Sequence, residues 1–218
     1  MKHVFTFDPD KCCACSACVV GCISQNDIDL ASGNTPFRKT YDNEVELKDG
    51  RLWMLVRTKY GIGQAFSSDG GLTWSEGTDS GLGGPSSRFH IRRLRSGRLL
   101  LINHVNFTKR NNLTLLLSED DGKTWSDGLM LDARDMVSYP DATEAADGYI
   151  YITHDRERGC NKKSAEEAMS YAREVLVSRV TEADILAGKL VDPGSYLGRI
   201  ASKLGAYTGD ELHLYEKQ

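Results

Sequence analysis

The sequence lacks a long apolar run, a surplus of positive charge and an apolar stretch near its first residues. None of its apolar runs approaches the roughly 18 residues of a membrane span. Lys and Arg number 27 against 31 Asp and Glu, a net charge of −4, which argues against nucleic acid and membranes as partners. Residues 1–11 have no apolar core of a secretory signal, so we expect a cytoplasmic protein. Hydrophobic residues make up 40% and charged residues 27%, which excludes a disordered or fibrous chain.

Cysteine is nearly absent outside one short stretch. Five of the six cysteines lie within residues 12–22, and the sixth is Cys160. A disulfide framework would spread cysteines over distant loops, so this clustering predicts a ligand loop. The C-x-x-C-x-x-C-x-x-x-C spacing is typical of bacterial ferredoxins, where such thiolates bind a 4Fe–4S cluster. The alternatives are a zinc loop and unligated reduced thiols. The four cysteines in this register are Cys12, Cys15, Cys18 and Cys22.

The residues around this cluster carry a family resemblance. Phe5–Cys12, Ala17–Cys22, Asn26–Asp27 and Phe37–Tyr41 resemble the opening of the electron-transfer iron–sulfur subunit of dimethyl sulfoxide reductase-type molybdoenzymes. The resemblance covers residues 3 to about 44. It implies that residues 1–43 form a ferredoxin-like 4Fe–4S segment. That segment is incomplete, because the family carries four cysteine groups and this chain has one, so we expect low cluster occupancy.

From residue 44 the chain contains two kinds of repeat. Asp49–Arg57, Ser96–His104 and Asp147–Asp155 each combine a glycine turn with a run of β-favouring residues, and their glycines lie 47 and 51 residues apart. Ser67–Trp74 recurs 51 residues later as Ser118–Trp125, with the shared pattern S-x-D-x-G-x-T-W. In this turn Asp accepts backbone hydrogen bonds and Gly takes a positive φ. A period near 50 residues with two recurring turns is typical of a β-propeller blade.

The repeats predict a mainly β fold, a partial propeller of about three antiparallel four-stranded blades over residues 44–196. Leu52, Leu99 and Ile150 should occupy equivalent strand positions. Fewer blades than a closed ring needs would leave open blade edges, which favours self-association. Outside the repeats, the sequence predicts a helix after the Ser164 capping box, a strand over 174–180, a capped helical turn over 181–188, and a C-terminal tail over 197–218 without a clear pattern.

The two boxes, the Ser86–Leu94 run and the stretch from Ser138 to Tyr151 resemble the sialidase-like BNR or Asp-box family, including bacterial members described as exo-α-sialidases. This resemblance implies a glycoside hydrolase whose substrate is a sialic-acid-like or other acidic glycan. Three arginines would bind the carboxylate of the sugar, a tyrosine would act as nucleophile, a glutamate would activate it, and an aspartate would act as general acid. The propeller would need no cofactor.

The resemblance assigns catalytic roles to Arg57, Arg110 and Tyr139. The alternatives are rim arginines for the first two and a packed turn tyrosine for the third. Weaker substrate-binding candidates lie at strand ends nearby, with solvated loop charges or a strand-end histidine as the alternatives. These weaker candidates are Arg88, His104, Asp141 and Asp155.

The chain departs from the family pattern at several catalytic positions. The position of the activating glutamate holds Tyr41, and the family's first arginine and acid aspartate precede the repeats found here. We therefore expect a sialidase-family chain that is inactive or impaired. The alternatives are a 4Fe–4S electron-transfer module and a non-functional fusion or truncated gene product.

Anaerobic reconstitution with iron and sulfide should load this chain to less than one 4Fe–4S cluster, because the second set of cysteine ligands is incomplete. Iron and acid-labile sulfide content measures the loading, with Cys15→Ser as the test variant and Cys160→Ser as the matched control. Stable loading near one cluster per chain, abolished by Cys15→Ser alone, would favour the electron-transfer alternative instead.

Overall fold

The computed structural model describes residues 44–157 and 173–203. The cysteine-rich segment, Cys160 and the helix predicted after Ser164 lie outside the described residues. The described part is mainly β, as the repeats predict, with three four-stranded antiparallel sheets and one short helix. No helix in this part is long and apolar enough to cross a membrane.

Each sheet is a meander whose four strands pair in chain order. Sheet 1 consists of β1 (Glu44–Glu46), β2 (Leu52–Arg57), β3 (Ile62–Ser67) and β4 (Thr78–Asp79). Sheet 2 consists of β5 (His90–Arg93), β6 (Leu99–His104), β7 (Leu113–Ser118) and β8 (Leu129–Asp132). Sheet 3 consists of β9 (Val137–Glu144), β10 (Ile150–Arg156), β11 (Glu174–Val180) and β12 (Tyr196–Lys203), with helix α1 (Glu182–Ala187) between its last two strands.

The repeat of the sequence is a repeat of the structure. Leu52, Leu99 and Ile150 are the first residues of β2, β6 and β10, the second strand of each sheet, so their predicted equivalence is confirmed. Strand β11 and helix α1 also lie where the sequence predicts them; Thr181 closes a capping box and Gly188 ends the helix at φ 64°.

The third sheet extends further than the sequence predicts. Strand β12 continues to Lys203, although residue 197 is where the patternless tail was expected to begin. This strand is the edge of its sheet and most of its side chains are exposed from Arg199 onward. A strand with so little burial needs no apolar alternation, so its sequence carries no strand signal.

The sheets pack face to face in chain order, with first strand against first strand: β1 contacts β5, and β5 contacts β9. Sheet 2 is therefore buried on both faces. On β6, Leu99 and Leu101 belong to the core shared with sheet 1, whereas Leu100 and Ile102 belong to the core shared with sheet 3. All six residues of β6 are buried, which explains why its first four residues, 99–102, form a continuous apolar run rather than an alternating pattern.

The two S-x-D-x-G-x-T-W turns connect β3 to β4 and β7 to β8, so they occupy the same place in successive sheets. In the first, Asp69 accepts hydrogen bonds from the Thr73 amide (2.9 Å), the Thr73 hydroxyl (2.6 Å) and the Ser67 hydroxyl (2.7 Å). Asp120 repeats these bonds in the second turn. The aspartates thus close the turns, as the sequence predicts.

The second of these turns also joins its sheet to the preceding one. The Lys48 amide, in the β1–β2 turn, donates to Asp121 of the β7–β8 box at 2.8 Å. Sheet 3 has helix α1 at the position of the box, and Glu182 of this helix pairs with Arg98 of the β5–β6 turn at 2.9 Å. Hence a helix and an Asp box perform the same joining role.

Acid should weaken the fold through these boxes. Hydrogen bonds from Thr73 lower the pKa of Asp69 to about 2, and those from Thr124 do the same for Asp120, both below the ordinary value of 3.8. Each carboxylate therefore stabilises the folded chain above pH 3.8, and this contribution is lost as the pH falls towards 2.

In an acid titration of thermal stability, Asp69→Asn and Asp120→Asn should each flatten the loss of stability between pH 4 and 2. Asp127→Asn, at an exposed position outside the boxes, is the matched control and should keep the wild-type slope. An unchanged slope in both box variants would contradict this role.

Candidate functional site

The connections of the sheets lie on two opposite edges. The β3–β4 and β7–β8 boxes share one edge with the β1–β2 and β5–β6 turns. The β2–β3 and β6–β7 connections and the links between sheets share the other, here called the site edge. Because strands alternate in direction, the end of each second strand and the start of each first strand meet at the site edge.

The site edge brings together the three residues to which the resemblance assigns catalytic roles. Arg57, at the end of β2, donates from Nη1 to the Tyr139 hydroxyl and from Nε to the Ser86 hydroxyl, both at 3.3 Å. Arg110, in the β6–β7 connection, donates from Nη2 to the Ser86 carbonyl at 3.0 Å. Two guanidinium groups therefore meet at one serine. We call these four residues, Arg57, Ser86, Arg110 and Tyr139, the arginine cluster.

Tyr139 enters the cluster through a bulge in β9. Tyr139 and Pro140 together lie opposite His154, and Tyr139 takes φ 56°, in the left-handed region that a bulky residue rarely adopts. The Ser138 hydroxyl donates to Asp155 across the bulge at 2.8 Å. A bulge redirects a side chain out of strand alternation, and strained residues of this kind occur often at functional sites.

The innermost strands carry a second pair beside the cluster. His90, the first residue of β5, is buried, and its Nδ1 lies 3.1 Å from Oδ1 of Asp141 on β9. The contact with His90 is the main cause of a lowered pKa of Asp141, and the charge of Arg88 adds to it. Asp141 is thus held as a carboxylate. Of the weaker candidates, Arg88 lies two residues before β5 at the site edge, whereas Asp141 lies in the middle of β9, opposite Thr153.

His104 and Asp155 occupy the position in β6 and β10 that Arg57 occupies in β2. His104 is buried, and burial lowers its pKa, so the imidazole is neutral near pH 7. Its Nδ1 lies 2.8 Å from the Asn111 carbonyl, next to Arg110 in the same connection. His104 therefore supports the loop that carries Arg110, and its contact with a substrate stays a prediction.

A buried charged network, which no local sequence pattern indicates, lies further out on the site edge. Asp132 is bound by Arg134 at 2.7 Å and by His154 Nε2 at 3.2 Å. Burial alone would raise the pKa of Asp132, but the hydrogen bonds from His154 and Arg134 outweigh it and lower the pKa. Glu174, also buried, pairs with surrounding cations. Its partners are Arg134, Arg156 and Lys203.

No described residues form a group of three or more His, Cys, Asp or Glu able to hold a metal ion. The four cysteines of the predicted cluster lie outside the described residues, so iron–sulfur binding stays a prediction.

The stacked four-stranded meanders and their Asp-box turns define a propeller-type β protein. The model of the BNR repeat-like domain matches residues 38–152, which is more than half of the chain. The chain therefore belongs to the BNR repeat-like domain family. No curated protein matches it significantly.

A solved structure shares the fold, and a second one matches the chain less closely. An alpha-L-arabinanase from Penicillium chrysogenum, complexed with arabinobiose, is 18% identical with a TM-score of 0.50, and the match covers 80% of this chain and 52% of the arabinanase. An alpha-L-arabinofuranosidase from Fusarium graminearum is 15% identical with a TM-score of 0.48, over 75% of this chain and 49% of that enzyme. The chain thus spans about half the length of these enzymes.

Replacing His90 should remove the interaction that favours the charged form of Asp141. We expect His90→Leu to raise the pKa of Asp141 towards the ordinary 3.8, because Leu fills the buried site without donating a hydrogen bond. Carboxyl carbon NMR titration measures this value. Asp147, in the β9–β10 turn, is the internal control, and its carboxyl carbon signal should be the same in wild type and variant. An unchanged Asp141 would show that His90 does not set its charge.

Proposed function

We propose that this chain is a carbohydrate-related, glycoside hydrolase-like propeller protein whose arginine cluster binds the carboxylate of an acidic sugar of the sialic acid type. We further propose that its hydrolytic activity is impaired. The observation that carries the proposal is that Arg57 and Arg110 both bind Ser86 and that Arg57 also binds the Tyr139 hydroxyl.

The chemistry of the cluster favours an anion. Two guanidinium groups held near one serine repel each other, and a bound carboxylate offsets that repulsion. A guanidinium has five N–H donors, of which the bonds named above use two in Arg57 and one in Arg110. Arg57 is exposed and Arg110 half-buried, so both can meet a ligand from solvent, and the planar fork of arginine fits a carboxylate.

Tyr139 fits the role of a group that faces the sugar. Its hydroxyl accepts a hydrogen bond from Arg57, and donation from a cation stabilises negative charge on a phenol oxygen. A nucleophilic tyrosine also needs a base, and Tyr41 occupies the position at which the sialidase resemblance expects the activating glutamate. Loss of a general base typically lowers the rate about 10²- to 10⁴-fold, which supports binding with impaired turnover.

Binding should distinguish acidic from neutral sugars. We expect N-acetylneuraminic acid to bind, measured by isothermal titration calorimetry, and arabinobiose, the neutral sugar bound by the arabinanase neighbour, to bind more weakly. Arg57→Ala should lower the affinity for the acidic sugar about tenfold, because a charged hydrogen bond to the carboxylate is lost. The loss is limited to this size because Arg57 is exposed and water screens its charge. Arg51→Ala, at the other end of β2 and away from the site edge, is the matched control and should bind normally.

Equal affinity for both sugars, or equal losses in Arg57→Ala and Arg51→Ala, would refute the proposed carboxylate site. A fluorogenic sialoside tests the second part of the proposal: we expect little or no turnover. Robust turnover abolished by Tyr139→Phe would show instead that the chain is an active sialidase.

A further inference from the structure

Equivalent strands of the three sheets differ in burial, although their sequences are alike. Each sheet has a following face, towards the next sheet, and a preceding face, towards the sheet before it. On the preceding face, Leu99 and Leu101 of β6 are 0% and 1% exposed. Their equivalents in sheet 1 are Leu52 and Met54, which are only half-buried, and the next residue on this face, Val56, is 43% exposed. Sheet 1 therefore has an apolar preceding face that no described residue covers fully.

Sheet 3 has the complementary surface on its following face. Leu55 of β2 is fully buried against sheet 2, but its equivalent Thr153 in β10 is exposed. Beside Thr153 on this face lie Val177, which is half-buried, and Val175, which is 42% exposed. This face thus offers apolar and polar area to a further sheet.

The preceding face of sheet 1 carries acidic side chains, whereas the following face of sheet 3 carries charges of both signs. Glu44 and Glu46 flank Met54 and Leu52 on the preceding face of sheet 1, and Asp79 lies on the same face. The following face of sheet 3 carries Arg179 and Arg199. Its two carboxylates already have partners in the chain, Asp141 with His90 and Asp155 with Ser138.

We infer that two copies of this chain associate head to tail, the preceding face of sheet 1 in each copy packing on the following face of sheet 3 in the other, to form one closed ring. The contact continues the packing that joins sheet 1 to sheet 2 and sheet 2 to sheet 3 within the chain. The chain spans about half the length of the arabinanase with the same fold, so two copies supply the length of one such enzyme. A two-fold operator makes both contacts identical and leaves no open face.

The contact between an Asp box and the neighbouring sheet should recur between the two copies. Within the chain, the glycine of the second Asp box, Gly122, packs against Trp53, and a Cβ at this position would overlap the Trp53 ring. The equivalent pair across the new contact is Gly71 of one copy and the half-buried Tyr151 of the other. With the two-fold axis along the ring axis, both arginine clusters lie on the same side of the ring.

Sedimentation and light scattering of the full chain test this inference. We expect a particle of twice the 24.1 kDa chain mass at micromolar concentration. Met54→Glu and Thr153→Lys should each raise the dissociation constant about a hundredfold, because each places an unpaired charge in both contacts, at about tenfold per contact. Met130→Glu, at an exposed methionine of sheet 2 outside both faces, should leave the dimer intact.

Mixing the two dissociated variants provides the decisive readout. A mixed ring has one unchanged contact and one contact that pairs the introduced glutamate with the introduced lysine, so the dimer should return to within about tenfold of the wild-type affinity. This recovery also proves that both variants are folded. A wild-type monomer, a series of growing oligomers, dissociation of the Met130→Glu control, or no recovery on mixing would each overturn the inference.

Discussion

The packing of one four-stranded sheet face on the next is the constraint on which this structure depends. A sheet of this size cannot bury its own apolar side chains, and removing a leucine side chain from water stabilises a fold by about 1.5–3 kcal/mol. Sheet 2, covered on both faces, holds Leu99, Leu100, Leu101 and Ile102 almost completely away from water. The order of the sheets, the direction of their turns and the place of the site edge all follow from this stacking.

The arginine cluster is a product of the stacking rather than of any one sheet. Arg57 comes from sheet 1, Arg110 from the β6–β7 connection of sheet 2, Tyr139 from the first strand of sheet 3, and Ser86 from the link between the first two sheets. Strand ends of successive sheets meet because each sheet repeats the same alternation of strand direction. A change in the packing of two sheets would therefore separate the guanidinium groups without altering any residue of the cluster.

Local features of this fold were predictable from the sequence, and contacts between sheets were less so. The boxes around Asp69 and Asp120, the equivalence of Leu52, Leu99 and Ile150, and the cap at Thr181 all depend on neighbouring residues, so their patterns are visible in the chain. The role of Ser86 depends partly on its backbone carbonyl, which any residue would supply, and the pairing of His90 with Asp141 spans two sheets. Strand β12 carries no recognisable pattern, because an exposed edge strand needs no apolar alternation.

Helix α1 has a consequence for how such repeats diversify. It stands where the other two sheets carry an Asp box, yet Glu182 reaches the turn of the preceding sheet just as Asp121 does. This contact between sheets thus requires one acidic side chain placed next to the turn of the preceding sheet. The connecting segment that carries it can be either a turn or a helix. The connection between the third and fourth strands of a sheet is therefore a suitable place to insert a foreign peptide or a longer loop, since an Asp box and a helix both occur there.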